Sequence, residues 1–110
     1  MVINHYTVTF DPTALQDLQQ IYDYIGRHAG ARTARTYVRR IYDHCLALQT
    51  FPERGTRRDD LRPGLRTLGF ERRATIVFRL DRRRKRVVIL AVAYAGRDVE
   101  TKIRGGRRRT

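Results

Sequence analysis

A run of seven apolar residues, Val-Val-Ile-Leu-Ala-Val-Ala at positions 87–93, constrains the fold of this chain more than any other feature. The run predicts a strand over about Arg86–Tyr94. Because successive side chains of a strand point to opposite faces, both faces of this strand are apolar and both must be covered. We therefore predict a central strand of a sheet, with helices on one face and a different covering on the other.

The first half of the chain predicts the helices that cover one face. Residues 2–10 alternate apolar and polar side chains, which is typical of a half-buried strand. Asp11 can then cap a helix that begins at Pro12, and Gly26 is a natural stop for it. Apolar residues at spacings of three and four predict a second helix that ends near Thr50. The short link between the two helices predicts an antiparallel hairpin.

The second half of the chain predicts a loop followed by a meander of strands. Residues 53–64 are rich in Arg, Asp, Gly and Pro and show no periodicity, which indicates a loop. Three strands follow, over about Leu65–Phe70, Ala74–Asp81 and Arg86–Tyr94. Residues 104–110 predict a basic, disordered tail. The order β-α-α-β-β-β predicts one α+β domain over residues 1–103, in which a helical hairpin packs on a small, mainly antiparallel twisted sheet.

The positive charge of the chain is concentrated in its second half. The whole chain has 24 Lys+Arg and 11 Asp+Glu, a net charge of +13, and counting residues 51–110 alone gives 19 basic and 7 acidic residues, net +12. A field polarised in this way attracts nucleic acid or an acidic protein. Nearly all the basic residues are arginines, whose forked guanidinium groups suit phosphate and carboxylate. A genome rich in G and C would give the same preference for Arg over Lys.

Arginines of the predicted sheet are the candidate binding residues. We expect one side of the sheet to gather Arg66, Arg72, Arg73, Arg79, Tyr94 and Arg97. Guanidinium groups placed there could grip a phosphate backbone and stabilise the charge that develops in phosphodiester cleavage. The alternative is that these positions are polar because they face water. A general base for cleavage is hard to find, because Arg stays protonated and residues 51–110 contain no histidine.

Other observations limit the classes of protein to which the chain can belong. His5, His28 and His44 lie on different predicted elements and match no zinc spacing, so no metal is expected. The glycines form no nucleotide-binding loop, so no cofactor is expected. No run of about 18 apolar residues occurs, and the N-terminus lacks a signal-peptide pattern. A single cysteine, Cys45, suits a reducing interior, and together these features predict a cytoplasmic protein that does not contact membranes.

Five blocks of sequence carry a resemblance to a known family. They lie in order along residues 6–103, at 11–25, 51–55, 61–66, 76–81 and 89–98. Their joint spacing resembles the RelE/ParE superfamily of toxins from bacterial type II toxin–antitoxin systems, and it is closer to the ParE branch. The resemblance implies a cytoplasmic toxin that is neutralised by a cognate antitoxin encoded beside it. The antitoxin's acidic, amphipathic C-terminal segment would cover the apolar and cationic face left open on the last strand.

The two branches of the superfamily imply different targets. ParE-like members inhibit DNA gyrase, which implies growth arrest and plasmid stabilisation without established catalytic residues. RelE-like members are ribosome-dependent mRNA endonucleases that use Lys and Arg on the sheet and a C-terminal Tyr. For that branch the candidate catalytic residues are Arg66, Arg73 and Arg97, while Thr75 replaces a central arginine and Ile103 replaces the tyrosine. These departures favour gyrase inhibition, with the endoribonuclease and a non-toxic nucleic-acid-binding module as alternatives.

Overall fold

The computed structural model describes residues 5–95 and 99–103. Predictions for residues 2–4, for Arg97 and for the tail at 104–110 lie outside the described residues. The helices are α1 (Pro12–Ala29), α2 (Ala31–Leu46) and α3 (Val99–Ile103), with a 3-10 turn at Ala47–Gln49 after α2. The strands are β1 (Thr7–Phe10), β2 (Thr56–Arg57), β3 (Leu65–Phe70), β4 (Ala74–Asp81) and β5 (Arg86–Tyr94).

The strands form one sheet in the order β1-β5-β4-β3-β2. β1 pairs with β5 in parallel, from Thr7 opposite Arg86 to Phe10 opposite Ile89, and the other pairs are antiparallel. The predicted bounds of β3, β4 and β5 are confirmed, and β5 lies inside the sheet as predicted. The loop predicted over residues 53–64 contains the two-residue strand β2. The fold is therefore the predicted α+β arrangement with one added edge strand and one added helix.

A single glycine separates the helices of the hairpin. The side chain of Asp11 caps α1 as predicted. The predicted stop at Gly26 is wrong, because α1 continues to Ala29 and ends at Gly30, where φ is 95° and glycine is favoured. Gly26 instead lies where the helices approach each other, since a Cβ built on it would be 4.0 Å from the Cβ of Ala34. A methyl group at this position would make only an ordinary van der Waals contact, so the packing of the two helices does not require glycine there.

The main core lies between the helical hairpin and one face of the sheet. Its fully buried side chains come from both layers and include Ala14, Ala34, Ile41, Ile76, Phe78 and Ile89. Complete burial of an Ile or Phe side chain contributes about 1.5–3 kcal/mol to folding. The hairpin therefore covers the first face of β5 as predicted.

The opposite face of β5 is covered by the chain's own residues. Leu65, Val77, Ala91 and Ile103 form a second buried cluster, against which Leu61 packs. Ile103 of α3 is only 5% exposed. The expectation that this apolar face stays open for a partner is therefore wrong for this cluster. The reason is α3, which follows β5 in the chain and returns to pack on it.

Candidate functional site

The predicted arginine cluster is divided between two ends of the β3–β4 pair. Arg66 lies opposite Phe78 near the start of β3, one position from the pair of Leu65 with Arg79. Arg72 and Arg73 lie in the turn at the other end of these strands, after Phe70. Phe70 lies four positions after Arg66, which corresponds to about 13 Å along a strand. The predicted convergence of all these side chains is therefore wrong, because the register of the meander keeps the turn arginines apart from the other two.

Arg66 and Arg79 meet additional arginines in a cleft that we call the cationic cleft. It has a volume of about 370 Å³ at the end of the β3–β4 pair near the β4–β5 turn. Its charged lining residues are Arg57, Arg66, Arg79, Arg82, Arg83, Asp59 and Asp81. Arg66 is largely buried, and its Nε donates a hydrogen bond to the carbonyl oxygen of Arg54 at 3.0 Å. Arg57, Arg82 and Arg83 are not among the residues predicted from sequence, since β2 and the tight turn that position them give no periodic signal.

A second cleft, the α1–β5 cleft, has a volume of about 270 Å³ and is lined by both members of a partly buried ion pair. The carboxylate of Asp17 is 5% exposed, and it accepts hydrogen bonds from the backbone N of Val92 and from Nζ of Lys102, each at 2.8 Å. β1 pairs with β5 only as far as Ile89, so the edge of β5 continues past the neighbouring strand. Asp17 therefore supplies the acceptor that a longer β1 would have offered to Val92.

The buried carboxylate of Asp17 has a signal in the sequence that the predicted site residues leave out. Asp17 lies one turn of helix from Ala14 and Ile21, on the apolar stripe of α1. A charged residue on such a stripe is buried only when it is paired. Its partner Lys102 lies 85 residues away in a short helix, and no local pattern predicts such a contact.

Tyr94 lies in an aromatic cluster at the α1–β5 cleft. It pairs with Ala74, so it lies at the end of the sheet that carries Arg72 and Arg73 and away from Arg66 and Arg79. Its ring centroid is 5.8 Å from that of Tyr24 and 5.7 Å from that of Tyr37. The hydroxyl of Tyr37 is buried and has no hydrogen-bond partner among the described residues. Burial, with a smaller contribution from the charge of Tyr94, raises the pKa of Tyr37 to about 12. The phenol therefore stays protonated throughout the physiological pH range.

An ion pair joins the turn between β3 and β4 to the helical hairpin. Nε of Arg40 donates a hydrogen bond to a carboxylate oxygen of Glu71 at 3.0 Å. This hydrogen bond, together with the nearby positive charge of Arg40, lowers the pKa of Glu71. The guanidinium of Arg40 also lies 5.5 Å from the centre of the Tyr37 ring. The pair thereby links the arginine-bearing turn to α2.

The described residues also bear on metal binding and on membranes. Residues 5–95 and 99–103 contain no group of three or more His, Cys, Asp or Glu side chains arranged to hold a metal ion. Within the same ranges, no helix combines the length and apolar character needed to cross a membrane.

Comparison with known proteins places these features in a family. The family model described as the ParE toxin of the type II toxin–antitoxin system, parDE, matches residues 8–99. The chain is similar to a solved structure of the chromosomal ParDE system from P. aeruginosa, with 28% identity and a TM-score of 0.70, over 84% of this chain and 98% of that one. A search of curated proteins gives no match.

Two further solved structures share the fold. One is the toxin–antitoxin complex RelBE2 from Mycobacterium tuberculosis, with 23% identity and a TM-score of 0.58, over 82% of this chain and 91% of that one. The other is a mutant of the E. coli toxin RelE in the free state, with 13% identity and a TM-score of 0.62, over 90% and 94% of the two chains. Since the ParE family model spans residues 8–99 and so covers most of the domain, the chain belongs to the ParE toxin family of type II toxin–antitoxin systems.

Proposed function

We propose that this toxin arrests growth by binding and inhibiting DNA gyrase. The family assignment supports this target, because ParE-like members are the gyrase inhibitors of the superfamily. The observation that carries the proposal is the separation of Arg66 from Arg73 along the β3–β4 pair. A nuclease must place its charge-stabilising and proton-transferring groups within about 3 Å of the reacting atoms. A toxin that acts by binding alone has no such requirement.

The environment of Arg66 supports the same conclusion. Arg66 is 8% exposed and its Nε donates a hydrogen bond to a backbone carbonyl, so it stabilises the segment at Arg54. A guanidinium that is held by a backbone carbonyl is poorly placed to stabilise the charge that develops on a scissile phosphate in the transition state. Thr75, at the position where the resemblance to RelE would put a central arginine, offers a hydroxyl and no positive charge.

Purified toxin tests the proposal in a gyrase supercoiling assay. We expect loss of supercoiled product as the toxin concentration rises, and recovery when the cognate antitoxin is added first. The same preparation should leave free and ribosome-bound mRNA intact in primer-extension analysis. Unaffected supercoiling at saturating toxin would contradict the proposal. New 5′ ends that disappear in an Arg73→Ala variant would favour the endoribonuclease instead.

The antitoxin that we propose as partner carries an acidic, amphipathic segment. Its acidic side chains would complement residues 51–110, which hold 19 basic and 7 acidic residues. Co-expression with the neighbouring gene should rescue growth and yield a complex that is recovered through either protein. Growth arrest that persists in the presence of that neighbour would contradict the pairing.

A further inference from the structure

The cationic cleft has an excess of positive charge that the protein does not neutralise. Five arginines and two aspartates among its lining residues give a formal sum of +3. Arg82 forms an ion pair at 2.9 Å with Glu53, which is not a lining residue of the cleft and is not included in this sum. Arg79 and Arg83 form no ion pair within 4.0 Å among the residues that the structure describes. The charge of Arg79 acts on the nearby Asp81 and helps to lower its pKa, but neither guanidinium is held in an ion pair, so both can contact an anionic ligand.

The two carboxylates of the cleft are held in place by hydrogen bonds with neighbouring groups. Asp59 accepts from the backbone N of Gly64 at 2.9 Å and from Nε of Arg57 at 2.8 Å, and these contacts lower its pKa. Asp81 accepts from the backbone N of Arg84 at 3.1 Å, and this contact lowers its pKa too. Both groups therefore stay ionised at neutral pH but are already engaged. The net charge offered to a ligand remains positive.

The shape of the cleft is fixed by the backbone at Gly64. The residue has φ of 81°, and its carbonyl oxygen accepts a hydrogen bond from the backbone N of Leu80 at 2.8 Å. A Cβ built on Gly64 would lie 2.6 Å from the carbonyl oxygen of Leu80, so the two backbones are in direct contact. The segment that carries Asp59 is thereby tied to β4. The cleft is preformed, which reduces the entropy lost when a ligand binds.

We propose that the cationic cleft binds backbone phosphates of DNA through Arg79 and Arg83. Guanidinium groups match phosphate oxygens in geometry and charge, and contacts of this kind position a protein on DNA without reading its sequence. The ligand is a polyanion because the cleft opens beside the basic β4–β5 turn, where Arg82, Arg83, Arg84 and Lys85 follow one another. This inference rests on the proposed function, since DNA is the substrate that gyrase holds. A toxin that also binds DNA would contact the enzyme and its substrate together.

Fluorescence anisotropy of a labelled 20-base-pair duplex with the full chain tests the inference. We expect an Arg79→Gln/Arg83→Gln variant to bind DNA about tenfold more weakly than the wild type at low salt. The slope of log K against log[salt] should fall by about 2, since each phosphate contact contributes about 0.9. Lysine at both positions should restore the slope because it keeps the charge. An Arg32→Gln/Arg35→Gln variant on exposed positions of α2 removes the same charge and is the matched control.

The outcomes distinguish DNA binding at the cationic cleft from diffuse electrostatic attraction to the whole protein. Equal weakening in the cleft variant and the α2 control would overturn the inference, provided that circular dichroism shows both folded. Tighter binding of inorganic tripolyphosphate than of DNA at the same phosphate concentration would also overturn it, because the cleft would then be a site for small phosphates. Binding of poly-glutamate in place of DNA would overturn it as well and assign the cleft to an acidic protein.

The gyrase assay keeps this inference distinct from the proposed function. If the toxin inhibits gyrase but shows no cleft-dependent DNA binding, the inference fails and the gyrase proposal stands. If cleft-dependent DNA binding occurs without any effect on gyrase, the inference stands and the gyrase proposal fails.

Discussion

Nζ of Lys102 in α3 lies 2.8 Å from a carboxylate oxygen of Asp17 in α1, so a partly buried ion pair joins these two helices. The side chains are 22% and 5% exposed. The other oxygen of Asp17 accepts from the backbone of Val92, so the carboxylate connects α1, β5 and α3. The ion pair thereby holds α3 in the position from which Ile103 covers the second apolar cluster.

Replacement of Lys102 by Met should destabilise the protein by about 3 kcal/mol, because it leaves the buried carboxylate without its counter-charge. Urea unfolding at pH 7 measures the effect. A Lys102→Arg variant keeps the charge and should stay close to the wild type. The double variant Asp17→Asn/Lys102→Met should recover part of the loss, since it removes both charges. A Lys102→Met protein as stable as the wild type would show that other groups stabilise Asp17.

Replacement of Tyr37 by Phe should leave stability unchanged or raise it by about 1 kcal/mol. The buried hydroxyl has no hydrogen-bond partner among the described residues, so its removal loses no contact and avoids a desolvation cost. The aromatic contacts with Phe70 and Tyr94 remain. Thermal unfolding at pH 7 measures the change. A loss of more than about 1 kcal/mol would mean that the hydroxyl does have a partner.

The raised pKa of Tyr37 predicts a loss of stability at alkaline pH. Its pKa is raised from 10.0 to about 12 in the folded state, chiefly by burial. Between these two values the phenol ionises in the unfolded chain but not in the folded one, so the free energy of unfolding falls as the pH rises from 10.0 to about 12. Stability measured across that window should fall more steeply in the wild type than in Tyr37→Phe. Parallel profiles of stability against pH in the two proteins would contradict the raised pKa of Tyr37.

The meander strands were predictable because their apolar patterns are local. β5 is apolar on both faces and is bounded by charged residues at the turn, so its limits can be found within nine residues of sequence. The stop of α1 was not predictable in the same way. Glycine often ends a helix, but Gly26 lies inside α1, on the side that faces Ala34 of α2. Tertiary packing therefore overrides the local preference of that residue.

The candidate site was less predictable than the fold because it depends on contacts between distant segments. Arg66 and Arg79 are predicted from sequence and do line one cleft, but their neighbour Arg83 comes from a turn without periodicity. α3 has five residues, which is too short for a helical pattern to emerge. Its two anchors, Lys102 and Ile103, contact residues that are remote in sequence.

Alanine substitutions at two glycines test how rigid the backbone of the cationic cleft is. Gly30 and Gly64 both have positive φ, but a Cβ on Gly30 would meet nothing within 4 Å whereas one on Gly64 would meet the Leu80 oxygen at 2.6 Å. We expect Gly30→Ala to cost about 2 kcal/mol, from backbone strain alone, because its φ of 95° and ψ of 158° fall in a region that side chains other than glycine rarely adopt. Gly64→Ala should cost about 3 kcal/mol because a backbone must also move. Urea unfolding measures both, and equal costs would show that the contact relaxes freely.

Acidification should weaken the link between α2 and the β3–β4 turn. The pKa of Glu71 lies below its ordinary value of 4.5, first because Arg40 donates a hydrogen bond to it and then because of the charge of Arg40. The stability that Glu71 contributes is therefore present above pH 4.5 and is lost as the pH falls through its lower folded-state pKa. Both side chains are close to half exposed, so the effect should be small and should shrink in high salt. The melting temperature should fall less below pH 4.5 in Glu71→Gln than in the wild type, and identical profiles at low salt would show that the pair contributes nothing to folding.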